Sequence, residues 1–411
     1  MKIAGIVAEY NPFHNGHKYH LEQSKALTGA DYTVVVLSGN FVQRGVPALL
    51  DKFKRTEMAL LNGADLVLEI PAIFACSSAE YFASAAVSLL DKLGVVTNLC
   101  FGSEYGDIRP LQKAAKILQE ESADFSSTLQ YYLRRGMTYP TARAEALIQY
   151  DPGFAAYSNL FNHPNNILGI EYIKALLTFE SSIEPITILR SGSAYNDPKP
   201  DTGYCSALAI RQSLIEGKSV SDLRDYLPKA TATILEQAQK DENTILLDDL
   251  SSLLYYKLQM EKSQKYSQYM DVSNDLSDRI QNKLPQFTTY SAFCELLKTK
   301  ELTYTRISRC LLHILLNITT EDILVGKELG YTPYARVLGF RKDATPLMHA
   351  IKRNSSIPLI TKLADAYKLL GEEAMLMLNQ DIQISQFYNG MVSVRNQLPP
   401  KNEYTIPIVI V

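Results

Sequence analysis

The alternation of short apolar runs with longer segments of helical period, over residues 2–103, constrains the fold more than any other feature of the sequence. The runs are rich in β-branched residues, and the segments place apolar residues three and four positions apart. In chain order, runs and segments occupy residues 3–8, 21–27, 33–37, 53–61, 66–70, 81–93 and 99–101. This order is typical of βαβ units with parallel strands. The sequence therefore predicts an α/β fold with a Rossmann-like doubly wound parallel sheet, which binds ligands at the carboxyl ends of its strands.

The pattern changes near residue 227. A further strand at residues 185–190 and a helix at residues 206–215 complete the α/β domain, which we predict to span residues 1–227. A mostly helical C-terminal domain is expected over residues 228–411. Its predicted helices lie at residues 230–239, 246–260, 290–298, 306–316 and 360–370. The apolar tail, residues 404–411, is expected to form a closing strand or an inserted edge.

Composition excludes several classes of protein. The chain has 411 residues and a formal net charge of −3, from 41 Lys and Arg against 44 Asp and Glu, so a nucleic acid would need a local basic patch. No apolar run approaches the roughly 18 residues of a membrane span, and the N-terminus lacks the core of a signal peptide. The cysteines are widely spaced and form no C-x-x-C pair: Cys76, Cys100, Cys205, Cys294 and Cys310. We therefore expect a cytoplasmic protein without membrane contact.

Three of the six histidines, His14, His17 and His20, fall within seven residues, directly after the first predicted strand and at the start of the first predicted helix. A helix N-terminus presents unpaired N–H donors and partial positive charge, which makes it a natural phosphate site. Imidazoles there can donate hydrogen bonds to phosphate and to charge that develops at phosphorus. Gly16 would let a nucleotide approach the backbone closely. We predict catalytic roles for His14 and His17.

Two other interpretations of the histidines stay open at this point. They could bind zinc, although their three-residue spacing is not the i, i+4 pair of a helical zinc site, and we predict no metal site. They could also simply cap the helix. The chain contains no G-x-x-x-x-G-K-[ST] phosphate loop, so phosphate chemistry would depend on the histidines.

The segment His14-Asn15-Gly16-His17 resembles the H-x-G-H signature of the nucleotidyltransferase superfamily related to class I aminoacyl-tRNA synthetases. A longer set of motifs resembles the bacterial tRNA(Met) cytidine acetate ligase family, nearly from end to end. These motifs are residues 9–20 (EYNPFHNGHKYH), 38–45 (SGNFVQRG), 55–60 (RTEMAL), 65–71 (DLVLEIP), 101–104 (FGSE) and 164–169 (PNNILG).

The resemblance implies a reaction in two steps. ATP activates acetate to acetyl-adenylate, and the acetyl group passes to N4 of the wobble cytidine of elongator tRNA(Met), forming N4-acetylcytidine. The first domain would bind ATP, with Mg²⁺ expected as the ATP complex, and the helical domain would bind tRNA. Two alternatives remain: a small-molecule adenylyltransferase of cofactor biosynthesis, commonly a single α/β domain, and a noncatalytic RNA-binding regulator.

The family's ATP contacts match one loop and four separate positions. The loop comprises Val7, Ala8, Glu9, Tyr10, Asn11, Pro12, Phe13, His14, Asn15, Gly16, His17, Lys18, Tyr19 and His20, and the separate positions are Gly102, Asn165, Arg190 and Ser191. The residue types agree, because Gly102 and Arg190 end predicted strands and Asn165 starts a predicted helix. Without the resemblance, a plain turn, an N-cap and a surface arginine explain the first three separate positions equally well.

A second superfamily signature, S-[SA]-T-x-I-R, matches residues 206–211 with Leu208 in place of threonine. Ser206 and Arg211 are therefore candidate contacts of pyrophosphate, whereas Ile210 is expected in the core. Arg44 and Lys52 are further candidates for facing phosphate or tRNA, against the alternative of a solvated surface.

One segment, residues 298–353, is locally basic, with ten Lys and Arg against five Asp and Glu. Four aromatic residues are interleaved with these charges: Tyr304, Tyr331, Tyr334 and Phe340. Basic and aromatic side chains together are what a surface that stacks unpaired anticodon bases needs. We predict tRNA contacts at Arg341 and Lys342, although the segment could also be an ordinary helical surface with core aromatics.

Overall fold

Strands from both halves of the chain form one mixed, mostly parallel sheet in the computed structural model, which describes residues 1–190 and 205–411. A small separate sheet consists of the strands Phe41–Val42 and Val46–Pro47. In chain order the strands are β1 Ile3–Ala8, β2 Tyr32–Ser38, β3 Phe41–Val42, β4 Val46–Pro47, β5 Leu66–Ile70, β6 Asn98–Ser103, β7 Glu184–Leu189, β8 Ala335–Phe340, β9 Leu359–Ile360 and β10 Val409–Ile410.

Helices make up most of the remaining structure. In chain order they are α1 Asn15–Thr28, α2 Lys52–Leu61, α3 Ala72–Ala75, α4 Ala79–Lys92, α5 Ile108–Glu120, α6 Ala123–Arg134, α7 Tyr139–Tyr150, α8 Pro164–Thr178, α9 Ala207–Ile215, α10 Lys229–Lys240, α11 Ser251–Met260, α12 Asn274–Lys283, α13 Tyr290–Leu297, α14 Tyr304–Leu316, α15 Thr320–Glu328, α16 Thr345–Asn354 and α17 Glu372–Asn396. Short 3₁₀ helices include Pro152–Asn162, Val220–Tyr226, Leu363–Lys368 and Glu403–Thr405.

The strand order is β10-β8-β5-β2-β1-β6-β7, with β9 paired to β8. β1, β2, β5, β6 and β7 are mutually parallel, which confirms the predicted doubly wound arrangement. The chain leaves β1 toward β2 on one side and later returns to β6 on the other side. Such a switch point opens a crevice at the carboxyl ends of the strands, where ligands of this fold class bind.

Both faces of the sheet are buried, which explains why the strands appear in the sequence as continuous apolar runs. Along β2, Val34 and Val36 join one hydrophobic cluster, while Val35 and Leu37 join the other. Successive side chains of a strand point to opposite faces, so a strand covered by helices on both sides needs apolar residues at every position.

The second half of the chain is less purely helical than we expected. β8 pairs antiparallel with β5, and β10 pairs parallel with β8, so the tail does form an edge strand as predicted. The helix predicted at residues 360–370 is wrong, because this stretch contains the end of β9 and the 3₁₀ helix Leu363–Lys368. The long helix α17 was not predicted. The sheet includes strands from both sides of residue 227, so it does not itself mark a domain boundary there. The division of the chain near residue 227 stays a prediction.

A buried network of two cations and two carboxylates connects the two halves. The Lys52 Nζ lies 2.8 Å from Glu69 Oε1 and also contacts Glu403. The Arg336 guanidinium lies 3.0 Å from Glu69 Oε2 and 2.8 Å from Glu403 Oε1. None of these side chains is more than 5% exposed. The hypothesis that Lys52 faces phosphate or tRNA is therefore wrong, because its charge is used inside the protein.

The burial of Tyr334 and Arg336 changes the interpretation of the basic segment 298–353. Tyr334 is 1% exposed, and its hydroxyl donates to Asp381 at 2.7 Å. Arg336 belongs to the buried network. Neither side chain can stack or neutralise RNA, so the expected surface of the segment is smaller than its composition indicates.

Replacing Lys52 with Ala should lower the free energy of unfolding by about 3–5 kcal/mol, because two buried carboxylates lose one of their two cations. Lys54 provides the matched control, since its Nζ lies 3.0 Å from Glu57 Oε2 in a half-exposed pair. Lys54→Ala should cost less than about 1 kcal/mol. Urea unfolding of both variants measures the difference, and equal losses would contradict a stabilising role for the network.

Candidate functional site

The chain turns from β1 into α1 through a loop whose end is capped by histidine. His14 is the N-cap residue, in extended conformation, and its Nδ1 accepts a hydrogen bond from the Gly16 N–H at 3.0 Å. The His17 Nδ1 in turn accepts from the His14 N–H at 3.3 Å, which completes a reciprocal capping box. Two imidazoles thus do what Ser and Glu do in an ordinary capping box. The capping interpretation is therefore confirmed, and the catalytic roles of His14 and His17 stay predictions.

This cap fixes the protonation of both rings. A neutral imidazole carries hydrogen on only one nitrogen, and Nδ1 of His14 and His17 is an acceptor, so the hydrogen is assigned to Nε2. The two rings are stacked, with centroids 3.7 Å apart. A Cβ on Gly16 would lie 2.9 Å from the His14 ring, so this position is Gly because the ring occupies the space. The approach of a nucleotide, our expectation for Gly16, is not needed to explain it.

The three histidines are neutral at physiological pH. Burial lowers the pKa of His14 to about 3, with the positive charges of Arg190 and Arg211 acting in the same direction. Burial, with His14 and Arg190 nearby, brings the pKa of His17 well below its usual value. Burial and Arg190 also lower the pKa of His20 to about 4, against a hydrogen bond with the Phe101 backbone. These imidazoles can therefore donate through N–H groups without carrying charge themselves.

Two arginines supply the positive charge beside the histidines. Arg190 follows β7, and its side chain lies against Gly102 of β6, where an added Cβ would come within 3.1 Å of the Arg190 Cγ. Arg211 on α9 donates to the Asn11 carbonyl at 2.5 Å. Burial lowers the pKa of Arg211 to about 10, opposed by Glu9, so the group remains a cation at neutral pH. Gly102, Arg190 and Arg211 are therefore brought to the histidine edge of the sheet.

Asn165 reaches the same edge from α8. Its Nδ2 donates to Glu104 Oε1 at 2.6 Å, and the Asn166 N–H donates to Glu104 Oε2 at 3.0 Å. The Asn166 Oδ1 accepts from the Glu104 N–H at 3.0 Å. These bonds tie the start of α8 to the loop that follows β6. The N-cap alternative for Asn165 is wrong, because the N-cap residue of α8 is His163.

Other residues of the predicted ATP loop shape it from within. Tyr10 is buried in a left-handed conformation, with φ of 46°, and its ring packs against Phe13 and His17 at 4.7 and 4.9 Å. The Asn11 Oδ1 accepts from the Leu49 N–H at 2.8 Å. Phe13 is fully buried. These side chains hold the loop in place through their packing and hydrogen bonds. Contacts between the loop backbone and ATP stay predictions.

Some buried polar atoms at this edge have no hydrogen-bond partner among the described residues. They are Tyr10 OH, Asn11 Nδ2, His20 Nε2 and Ser38 Oγ. Buried polar groups are normally paired, so unpaired ones near the carboxyl ends of the parallel strands indicate a polar ligand. In residues 1–190 and 205–411, no group of three or more His, Cys, Asp or Glu side chains is placed to hold a metal ion.

We did not predict the positioning role of Arg55 from the sequence. This fully buried guanidinium donates to the carbonyls of Glu9 at 2.7 Å and Ser38 at 3.0 Å, and it also contacts the Gly39 carbonyl. It thus joins the end of β1, where the histidine loop begins, to the end of β2. A charged residue on the apolar side of an amphipathic helix was the available signal, since its neighbour Met58 is fully buried.

The second superfamily signature, residues 206–211, and Ser191 were also singled out in the sequence. Ser206 is the N-cap of α9 and accepts from the Ala209 N–H at 3.1 Å, while Ile210 is fully buried, as expected. Ser191 lies outside the described residues. Contacts of Ser206 and Arg211 with pyrophosphate stay predictions.

Arg341 and Lys342 lie at the opposite edge of the sheet. They follow β8, which runs antiparallel to β5, and the Arg341 N–H donates to the Asp65 carbonyl just before β5. The Arg341 guanidinium is 2.7 Å from Asp343, whereas Lys342 is exposed. Contact of this pair with tRNA stays a prediction, and it would involve a part of the tRNA remote from the histidines.

Comparisons with known proteins agree with this geometry. A model of the HIGH Nucleotidyl Transferase family matches residues 1–402. A tRNA(Met) cytidine acetate ligase from Clostridium kluyveri is 42% identical over 401 residues, covering 94% of this chain and 98% of the relative. Another from Halothermothrix orenii is 38% identical over 421 residues, covering 100% and 99%. This chain belongs to the tRNA(Met) cytidine acetate ligase family.

Solved structures show the same fold for the ligase family. Thermotoga maritima TmcAL bound with alpha-thio ATP matches with a TM-score of 0.91 and 32% identity, covering 100% of this chain and 99% of that one. Its apo form matches with a TM-score of 0.93 and the same identity. The matches extend through the second half of the chain, which a single-domain adenylyltransferase would lack.

The lowered histidine pKa values predict an acid-sensitive fold. Since the folded pKa of His20 is about 4 and the unfolded value about 6.5, its stabilising contribution is complete above pH 6.5 and is lost as pH falls toward 4. Between pH 7.5 and 5 this group should account for about 1–2 kcal/mol of lost stability. Urea unfolding at both pH values should therefore show a smaller loss for His20→Asn than for the wild type. Equal losses would contradict the assignment.

Proposed function

We propose that this protein is an ATP-dependent ligase that joins acetate to a cytidine of tRNA(Met), at N4 of the wobble cytidine of the elongator species. The observation that carries this proposal is the pair of neutral, Nε2-protonated imidazoles of His14 and His17, beside the cations Arg190 and Arg211. This arrangement lies at the switch point of the sheet and suits an anionic nucleotide. Relatives that carry the ligase name match nearly the whole chain.

The first step activates acetate, whose carboxylate is a poor acyl donor. A carboxylate oxygen attacks the α-phosphorus of ATP, the bond to the bridging oxygen breaks, and pyrophosphate leaves with the electron pair. The product is acetyl-adenylate, a mixed anhydride. In the second step, cytidine N4 attacks the acetyl carbon, the bond to the AMP oxygen breaks, and N4 loses one proton. The base needs proximity to a reactive acyl donor, so no covalent enzyme intermediate is required.

The residues of this chain stabilise the charge that develops on the phosphates and hold the hydrogen-bond donors in position. The Nε2–H groups of His14 and His17 donate to phosphoryl oxygens as negative charge develops there, and they are already oriented by the cap. Arg190 and Arg211 neutralise the phosphates and the departing pyrophosphate. The described residues offer no protein cage for Mg²⁺, so the ion of the ATP complex would be held by phosphates and water.

Two broader properties accompany this function. Among the described residues, no helix is both long enough and apolar enough to span a membrane. All five cysteines are free thiols, four of them buried, which supports our prediction of a cytoplasmic location.

The roles of the two nitrogens of His17 can be separated by mutation. In His17→Asn the Oδ1 can still accept from the His14 N–H, but the distal N–H is lost. We expect acetate-dependent exchange of pyrophosphate into ATP to fall by about 10²–10³-fold, the usual effect of removing one such donor. The matched variant His17→Gln can place an N–H near the lost Nε2 and should retain more activity. Near-normal exchange in His17→Asn would remove this histidine from the mechanism.

The acyl donor provides the test of the proposed function. ATP and acetate should suffice to acetylate tRNA(Met), with pyrophosphate and AMP as products in equal amounts. Acetyl-coenzyme A should not replace them, because an adenylate route requires a free carboxylate. Mass spectrometry of the tRNA nucleosides identifies N4-acetylcytidine. Acetylation with acetyl-coenzyme A in the absence of ATP would overturn the adenylate mechanism.

A further inference from the structure

The connection between β6 and β7 contains more structure than the sheet requires. Parallel strands need one crossover helix, and here α5 and α8 pack on each other and reach the adjoining strands. Between them lie α6 and α7, which form a helical hairpin packed along its own length and against the 3₁₀ helix Pro152–Asn162. An insertion that the fold does not need is a candidate for binding a partner.

The turn of this hairpin exposes aromatic and cationic side chains together. Tyr131 is 52% exposed and Tyr139 is 56% exposed, and Arg134 and Arg135 between them are also exposed. The Arg135 guanidinium donates to the Tyr131 hydroxyl at 2.9 Å and lies 5.5 Å from the centre of that ring. We call these four residues, Tyr131, Arg134, Arg135 and Tyr139, the hairpin tip.

The hairpin tip has no acidic neighbours along the chain. Residues 125–144 contain three arginines and no Asp or Glu. Arg143 pairs with the buried Glu171 at 2.8 Å and faces the protein. Within the described part of the chain, neither Arg134 nor Arg135 forms an ion pair, which leaves two positive charges available to a partner.

From these observations we infer that the hairpin tip binds an unpaired segment of the tRNA substrate. Exposed tyrosine rings and a guanidinium plane stack on unpaired bases, and arginines neutralise phosphates beside them. A protein partner is less well matched, because the two rings are separated by charge and form no continuous apolar surface. This inference rests on the proposed function, since it assigns the RNA contact of that enzyme.

The base of the hairpin adjoins the candidate ATP site. The 3₁₀ helix that follows α7 carries Tyr157, whose ring contacts Tyr105 edge-on at 5.7 Å. Tyr105 follows Glu104, the residue that holds Asn165. RNA that binds along the hairpin would therefore extend toward the edge of the sheet that carries the histidines. Arg341 contrasts with the hairpin tip, since its guanidinium is already engaged by Asp343 at the other edge.

The first test removes charge from the hairpin tip of the full-length enzyme. Arg134→Ala/Arg135→Ala should raise the Kd for tRNA(Met) transcripts about tenfold or more and reduce the salt dependence of binding by about two phosphate contacts. The control, Lys362→Ala/Lys368→Ala, removes the same charge from exposed lysines that both lie within 4.0 Å of Asp365. It should bind nearly as the wild type does. An unchanged Kd in the arginine variant, or an equal change in the control, would overturn the inference.

The second test isolates base stacking. Tyr131→Ala/Tyr139→Ala should raise the KM for tRNA roughly tenfold, whereas Tyr131→Phe/Tyr139→Phe keeps both rings and should stay within about twofold of the wild type. Acetate-dependent pyrophosphate exchange without tRNA should remain unchanged in both variants, which checks that each is folded. Equal KM values for the Ala and Phe variants would overturn the inference. A wild-type enzyme that binds tRNA but does not acetylate it would instead overturn the proposed function.

Discussion

The candidate site depends on one buried guanidinium. Arg55 donates to carbonyls at the ends of two neighbouring strands, those of Glu9 and Ser38, and to the Leu50 carbonyl just before its own helix. Carbonyls at the ends of strands have no hydrogen-bond partner within the sheet. Each would lower the stability of the fold by about 1–3 kcal/mol if it were buried without a partner. One planar group with five N–H donors satisfies several of them at once. It thereby fixes the direction in which the chain leaves β1 for the histidine loop.

The second half of the chain is bound to this edge by further buried polar contacts. Glu403, near the C-terminus, shares Lys52 and Arg336 with Glu69, at the carboxyl end of β5. Asp381 on α17 accepts from the Ala72 N–H at 2.7 Å. A buried ion pair is costly to break on one side alone, so these contacts hold the C-terminal segments against the edge of the sheet that carries the histidines.

The proposed chemistry gives different roles to the neutral and the charged polar groups of the site. The imidazoles of His14 and His17 supply oriented N–H donors, and they are neutral because burial and nearby arginines disfavour a further positive charge. Arg190 and Arg211 supply the positive charge. Donors that are already oriented need no rearrangement when charge develops at phosphorus. In the proposed mechanism, the same residues that cap a helix therefore also act in phosphoryl chemistry.

Local sequence patterns determined part of the secondary structure. The five parallel strands and the helix that begins with the histidines follow from apolar periodicity and from residue spacing, which act over a few residues. The sequence could not show that β8 enters the sheet beside β5, or that Lys52 and Arg336 turn inward. Those outcomes depend on partners far apart in the chain. Only tertiary packing decides them, because a buried charge or carbonyl has to find its partner wherever the fold brings one.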